Sequence, residues 1–214
     1  MKTKGYKNSI DFRLLVITDN HLAKDNTLES IVEKCCGNGV RAIQLREKDI
    51  SAKKLFDISK RLRKITRKHS AKLVINDRLD IALLSKSDGV HSPEQGIKAE
   101  DIRKINSKLL TGKSVHSQTS AVEAERDGYD YIIFGPVFRT PLKVKYGKPQ
   151  GLKKLKEVCQ AVGIPVFAVG GITPDRSGRC IDCGAHGVTV IGAVFRSTDL
   201  KKTLREFRTS LGCL

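Results

Sequence analysis

The chain has no tryptophan, and aromatic residues of any kind make up only 5% of its 214 positions. With 39% of residues hydrophobic, a buried core is available, but it has to be aliphatic. Long apolar runs are missing as well. The longest, such as residues 131–134 and 164–169, fall far short of the roughly 20 residues that cross a bilayer, which excludes a spanning helix. The basic start, Met1 to Lys7, is not followed by the apolar stretch of a secretory signal, so a soluble, cytoplasmic protein is expected. Linkers and low-complexity segments are absent too, and residues 1–214 are expected to form a single domain. Six cysteines are present without the pattern of a structural metal site. Only Cys180 and Cys183 have metal-type spacing, and with His186 three residues on, no fourth ligand completes the set. Reduced thiols are the expectation.

Acidic residues are in short supply, 23 against 40 basic ones, for a formal charge of +17. Such an excess suggests nucleic acid as a partner. The densest basic group, Lys53, Lys54, Lys60, Arg61, Arg63, Lys64, Arg67 and Lys68, shares one helix with Leu55, Ile58, Leu62 and Ile65 at helical spacing. That is the pattern of a solvated face over a buried stripe. Phe56 is the only aromatic among those charges, too few for base stacking, so nucleic acid is set aside as the main partner.

What the chain does have is alternation. Short β-rich runs at 13–18, 42–45, 72–75, 89–91, 109–114, 131–134, 166–169 and 187–191 are separated by amphipathic helical patterns. Several runs are apolar at nearly every position, as in parallel strands buried on both faces. Thr27, Ser51, Ser117 and Thr173 stand where helix caps belong, the last before Pro174. Eight strand–helix units in about two hundred residues predict an α/β fold of the (β/α)8 TIM-barrel type. A doubly wound open sheet is the competitor if the weakest strand, 89–91, is a loop.

In such a barrel the polar residues at strand C-terminal ends converge on one mouth. Those ends read Gln44-Leu45-Arg46-Glu47-Lys48, Asn76-Asp77-Arg78, His91, Ser114-Val115-His116-Ser117, a run from Gly135 through Thr140 to Lys143, Gly170-Gly171-Ile172 and Ile191-Gly192-Ala193. Period-two alternation sends Gln44, Arg46 and Lys48 to one side, so Arg46 is expected to meet Asp77 or a bound anion and not its neighbour Glu47. Gly170, Gly171 and Gly192, with Ile191, fall in the two loops where barrels bind phosphate, and without Cβ atoms their amides are open to an anion. The same glycines also suit tight turns alone. His116 can shuttle protons near pH 7, although its spacing fits a hydrogen-bonded structural histidine equally well. His91 reads as packing.

The series QLREK (44–48), NDR (76–78), DGVH (88–91), SVHS (114–117), FGPVFRTPLK (134–143), VGGITP (169–174) and VTVIGA (188–193) resembles the thiamin phosphate synthase and TenI superfamily over nearly the whole chain. The resemblance implies one of two activities. A synthase would couple hydroxymethylpyrimidine diphosphate to thiazole phosphate and release pyrophosphate with Mg2+. Gln44, Arg46, Lys48, Asn76 and Lys143 would then hold the diphosphate, and Asp77 the metal. A TenI-type thiazole tautomerase would need no cofactor and would isomerise a carboxythiazole phosphate by a proton shift. His116 would carry the proton, with Ser114 and Lys143 as further catalytic candidates and Thr140 at the substrate. In both, the glycine loops would hold the thiazole phosphate. Synthases follow DGVH with a segment ending in a second metal-binding Asp, where this chain has Ser92-Pro93-Glu94-Gln95-Gly96. A hard cation on a diphosphate takes carboxylate oxygens, so the tautomerase is the expected activity, with the synthase as the alternative. The resemblance also implies a homodimer. A third possibility, a non-catalytic regulator or nucleic-acid binder on the same barrel, has only the +17 charge in its favour.

Overall fold

The structure is a computed structural model and describes residues 10–23, 26–140 and 148–212. Eight strands form where the short apolar runs predict them: β1 (Leu14–Ile17), β2 (Ala42–Leu45), β3 (Lys72–Asn76), β4 (Gly89–Ser92), β5 (Leu110–Val115), β6 (Tyr131–Phe134), β7 (Val166–Val169) and β8 (Gly187–Val190). Between and after them lie α1 (Leu28–Gly37), α2 (Ala52–Lys68), α3 (Leu79–Leu84), α4 (Ala99–Ile105), α5 (Gln118–Arg126), α6 (Gly151–Ala161), α7 (Pro174–Asp182), α8 (Gly192–Phe195) and α9 (Leu200–Ser210).

The strands run parallel in the order β1 to β8 and close on themselves. Closure is explicit in the register, where Leu14 pairs with Val188 and Val16 with Val190. This decides against the open sheet. β4, the weakest strand in the sequence, pairs on both sides, with Val74 opposite Gly89 and Gly89 opposite Leu110.

Alternation along each strand produces two cores. In β6, Tyr131 and Ile133 point inward with Leu15, Val74, Leu110 and Phe167 from other strands. Ile132 and Phe134 point outward under the helices. Placing both faces of every strand in apolar surroundings is what the near-continuous aliphatic runs provide.

Helix starts follow the caps. Thr27, Ser51 and Ser117 accept from the amides of Ser30, Lys54 and Ser120, and Ser120 returns the bond to close a capping box at α5. That box starts α5 at Gln118, three residues before the apolar periodicity begins. Thr173 makes no side-chain cap bond, so Pro174 alone marks the start of α7. The α2 stripe is buried through Leu55, Ile58 and Leu62, while most of its basic residues are exposed. Lys53, Arg61, Arg63 and Lys68 are paired with Asp57, Glu29, Asp88 and Glu33. Among the described residues no helix is long and apolar enough to cross a membrane.

Candidate active site

The C-terminal strand ends bring most of the expected residues to one end of the barrel. A cavity of about 300 Å³ opens there between the loops after β6, β7 and β8. Thr140, Gly170, Gly171, Ile191 and Gly192 line it, as the spacing predicts, with Arg139 from the same β6 run, and so do Arg176 and Arg196, which no local pattern singled out. Among the described residues that line it there is no carboxylate, so the wall is positive and amide-rich, chemistry suited to a phosphate.

The glycine loop serves packing and binding together. Gly171 has φ +62°, and a Cβ there would lie 2.6 Å from the Arg139 carbonyl oxygen and 2.9 Å from Phe138 Cβ. Only glycine permits this approach, and the approach draws the β6 and β7 loops into one wall. Arg176 fastens the same corner. Its Nη1 donates to the Gly171 carbonyl at 2.9 Å, and its guanidinium stands 5.1 Å from the Phe138 ring centroid.

His116 follows β5 and is half-buried, with Nδ1 2.6 Å from the Gly135 carbonyl oxygen. A carbonyl only accepts, so Nδ1 carries a proton, and in the neutral form of the ring Nε2 is the bare nitrogen that can act as a base. Gly135 belongs to the β6 loop, which places His116 beside the wall just described.

The opposite side of the mouth holds the QLREK and NDR residues. Gln44 is buried inside the barrel, and its Nε2 has no hydrogen-bond partner; the same is true of Thr189 Oγ1 on β8. Arg46 is half-buried, and Lys48 is exposed because β2 ends at Leu45 and strand alternation does not reach it. Glu47 turns the other way, as expected. Its carboxylate accepts from Thr18 Oγ1 at 2.7 Å and from the Asn20 amide at 3.1 Å, and burial raises its pKa against those bonds.

Asp77 sits just past β3 with φ +65°, a left-handed turn that Asp tolerates, fixed by its amide donating to the His91 carbonyl at 2.9 Å. The expected Arg46–Asp77 ion pair does not form. Asp77 is exposed beyond the strand end, and the guanidinium next to it, Arg78, is turned to Asp80 at 2.8 Å. Among the described residues neither the Arg46 nor the Asp77 side chain makes a hydrogen bond or ion pair, although the Asp77 charge acts on the neighbouring Arg78.

His91, read from the sequence as packing, is buried as that reading expects. It is 1% exposed and hydrogen-bonded at both ring nitrogens, with Nε2 2.9 Å from Ser114 Oγ and Nδ1 3.3 Å from Tyr131 Oη. Lys143 lies outside the described residues. His186, near the cysteine pair in sequence, is engaged at the other end of the barrel, where Nε2 meets the Phe12 carbonyl at 3.2 Å.

Residues 14–194 match the family described as thiamine monophosphate synthase, TMP-TENI. The chain belongs to that family. Thiamine-phosphate synthase of Chloroflexus aurantiacus is 34% identical over 199 residues, 93% of this chain and 92% of that one. The protein of the same name from Roseiflexus castenholzii is 38% identical over 191 residues, covering 89% and 84%. Among solved structures, thiamine phosphate pyrophosphorylase from Pyrococcus furiosus superposes with a TM-score of 0.86 at 34% identity, over 94% of this chain and 96% of that one. The match to the TMP-TENI family covers all eight strands.

Proposed function

We propose that the chain is a thiamin phosphate synthase, coupling hydroxymethylpyrimidine diphosphate to thiazole phosphate with release of pyrophosphate. The observation that carries this reading is the full-length similarity to relatives named for that reaction. It moves the balance away from the tautomerase that the segment after DGVH suggested.

The geometry supports the same division of labour. The Gly170, Gly171, Ile191 and Gly192 loops, with Arg139, Arg176 and Arg196, would hold the thiazole phosphate, and Thr140 would flank it. Gln44, Arg46, Lys48 and Asn76 would hold the pyrimidine diphosphate, with Lys143 completing that grip. Buried amide and hydroxyl groups left without protein partners, such as Gln44 Nε2, are what a ligand or water satisfies. Ser114 and His116, at the end of β5, would donate to or accept from the reacting groups between the two halves.

Mg2+ typically takes one or two carboxylates and completes its shell with water and substrate phosphate oxygens. Asp77, exposed at the mouth and in no ion pair among the described residues, fits the role of the single protein carboxylate. When bound, the ion would neutralise charge on the departing pyrophosphate. Gly96 gives no second carboxylate, and a Cβ there would fall 2.7 Å from Pro93 Cδ and 2.9 Å from Ser92 Cβ.

That gap, with the bare Nε2 of His116, supports a second reading, the thiazole tautomerase with His116 as proton carrier. Paired assays separate the two. Purified protein with both substrates and Mg2+ is expected to form thiamin phosphate, and Asp77→Ala to lose the reaction. Isomerisation of the carboxythiazole phosphate without coupling, abolished by His116→Asn, would reverse the assignment.

A further inference from the structure

Resting on the synthase reading, we propose that buried His91 is a positioning residue that fixes the Ser114 hydroxyl as a hydrogen-bond donor to substrate, backed from inside the barrel by Tyr131.

The three side chains come from neighbouring strands β4, β5 and β6, all on the inward face. His91 pairs in register with Gly112, and Gly112 with Tyr131. Gly112 makes the arrangement possible. A Cβ at that position would overlap Tyr131 Cζ and Oη and His91 Nδ1, so only an absent side chain on β5 lets the two rings meet. The rings stand 5.6 Å apart, tilted by 33°.

Hydrogen-bond accounting sets the direction. Tyr131 is fully buried, and burial raises its pKa, so the phenol keeps its proton. Buried hydroxyls find acceptors; the Gln44 side chain acts on the phenol in the sense that lowers its pKa, as a donor does, and the acceptor at hydrogen-bond distance from Tyr131 Oη is His91 Nδ1, at 3.3 Å. With Nδ1 accepting, a neutral imidazole carries its proton on Nε2 and donates it to Ser114 Oγ at 2.9 Å. A lone pair of Ser114 is thereby occupied. Its proton has no acceptor among the described residues and is directed to whatever fills the mouth. The histidine itself is 1% exposed, so it acts through the serine.

The test is a double-substitution cycle on the complete chain, with thiamin phosphate formation as the readout. His91→Asn cannot reach Ser114 and is expected to lower kcat about 3- to 10-fold with KM little changed, in line with one lost hydrogen bond. His91→Gln restores an amide N–H and is expected to recover most of the loss. In a Ser114→Ala background, His91→Asn is expected to have no further effect on kcat. The same fold-loss in both backgrounds, or no loss at all, overturns the proposal and leaves His91 a packing residue. Tyr131→Phe, which removes one oxygen, gives the same reading if His91→Asn does not fold, and its kcat loss should likewise vanish in the Ser114→Ala background. An independent readout is the 15N spectrum of the imidazole in the wild-type protein. An Nε2–H tautomer is expected, and an Nδ1–H tautomer would reverse the serine's role and overturn the assignment. Absence of coupling activity in the wild-type enzyme would sink the synthase reading instead, while the tautomer would still report on the His91–Ser114 pair.

Discussion

The two ends of the barrel treat charge differently. At the N-terminal end of the strands, Asp130 accepts from Arg103 at 2.9 Å and from the Thr111 amide at 2.8 Å. Asp88 repeats the arrangement two strands away, holding Arg63 through both oxygens, at 2.6 and 3.0 Å, and taking the Leu73 amide. Arg13 and Arg41 donate to the Leu211 and His69 carbonyls. At the C-terminal mouth most of the corresponding groups are unanswered, Glu47 and Arg176 being partnered exceptions, whereas among the described floor residues only Arg103 Nη1 is buried without a partner. The Arg46, Asp77, Arg139 and Arg196 side chains make no hydrogen bond or ion pair among the described residues, and Gln44 Nε2 and Thr189 Oγ1 are buried without a hydrogen-bond partner. The floor therefore uses polar groups to hold strands and helices in place, and the mouth keeps most of them for something that is not protein. Substitutions at the floor should cost stability, and those at the mouth should cost activity.

The largest effect is expected from Asp130→Ala. It strands Arg103 and two donors on Thr111, and breaking a buried pair of this kind typically costs about 3–5 kcal/mol. Chemical denaturation would measure it; a loss below about 1 kcal/mol would show that the floor pairs are ornamental. Arg46→Ala should do the reverse. Stability is expected to stay within about 0.5 kcal/mol, while kcat/KM falls about 10- to 100-fold, the value of a hydrogen bond to a charged group. Gly171→Ala tests whether packing and binding are joined in the glycine loop. A side chain at φ +62° should cost about 1–2 kcal/mol and also weaken thiazole phosphate binding, because it pushes on the Arg139 carbonyl. Loss of stability with binding intact would separate the two roles.

The smallest effect is a pH dependence at the floor. Burial against Phe167 lowers the His186 pKa below its ordinary 6.5. As pH falls below 6.5, the unfolded chain takes up a proton that the folded chain resists, so the folded state loses stability. The His186→Gln variant should lack this slope. Parallel denaturation series for the two proteins, run at several pH values, would detect it, and identical slopes would contradict it.

Much of this was legible in the sequence. Four-residue runs such as Tyr131–Phe134 and Val166–Val169 are apolar throughout, and a strand buried on both faces has little other way to be written. α8 escaped notice because four residues are too few to show a helical period. Arg176 and Arg196, which join Arg139 at the cavity, were missed for a different reason. They converge only because three loops close on one another, and no spacing within any single loop records that. The inward face of His91 was in principle readable, since it shares parity with Gly89 on β4 and faces a glycine on β5. The sequence alone did not say that the space left by Gly112 is filled by Tyr131.

The most direct test is a calorimetric titration with thiazole phosphate at moderate salt. One molecule should bind per chain, with affinity about tenfold or more weaker in Arg196→Ala at the mouth and unchanged in Arg41→Ala at the floor. Equal weakening by both substitutions would mean that the +17 chain attracts anions without a built site, and the contrast between the two ends would fail.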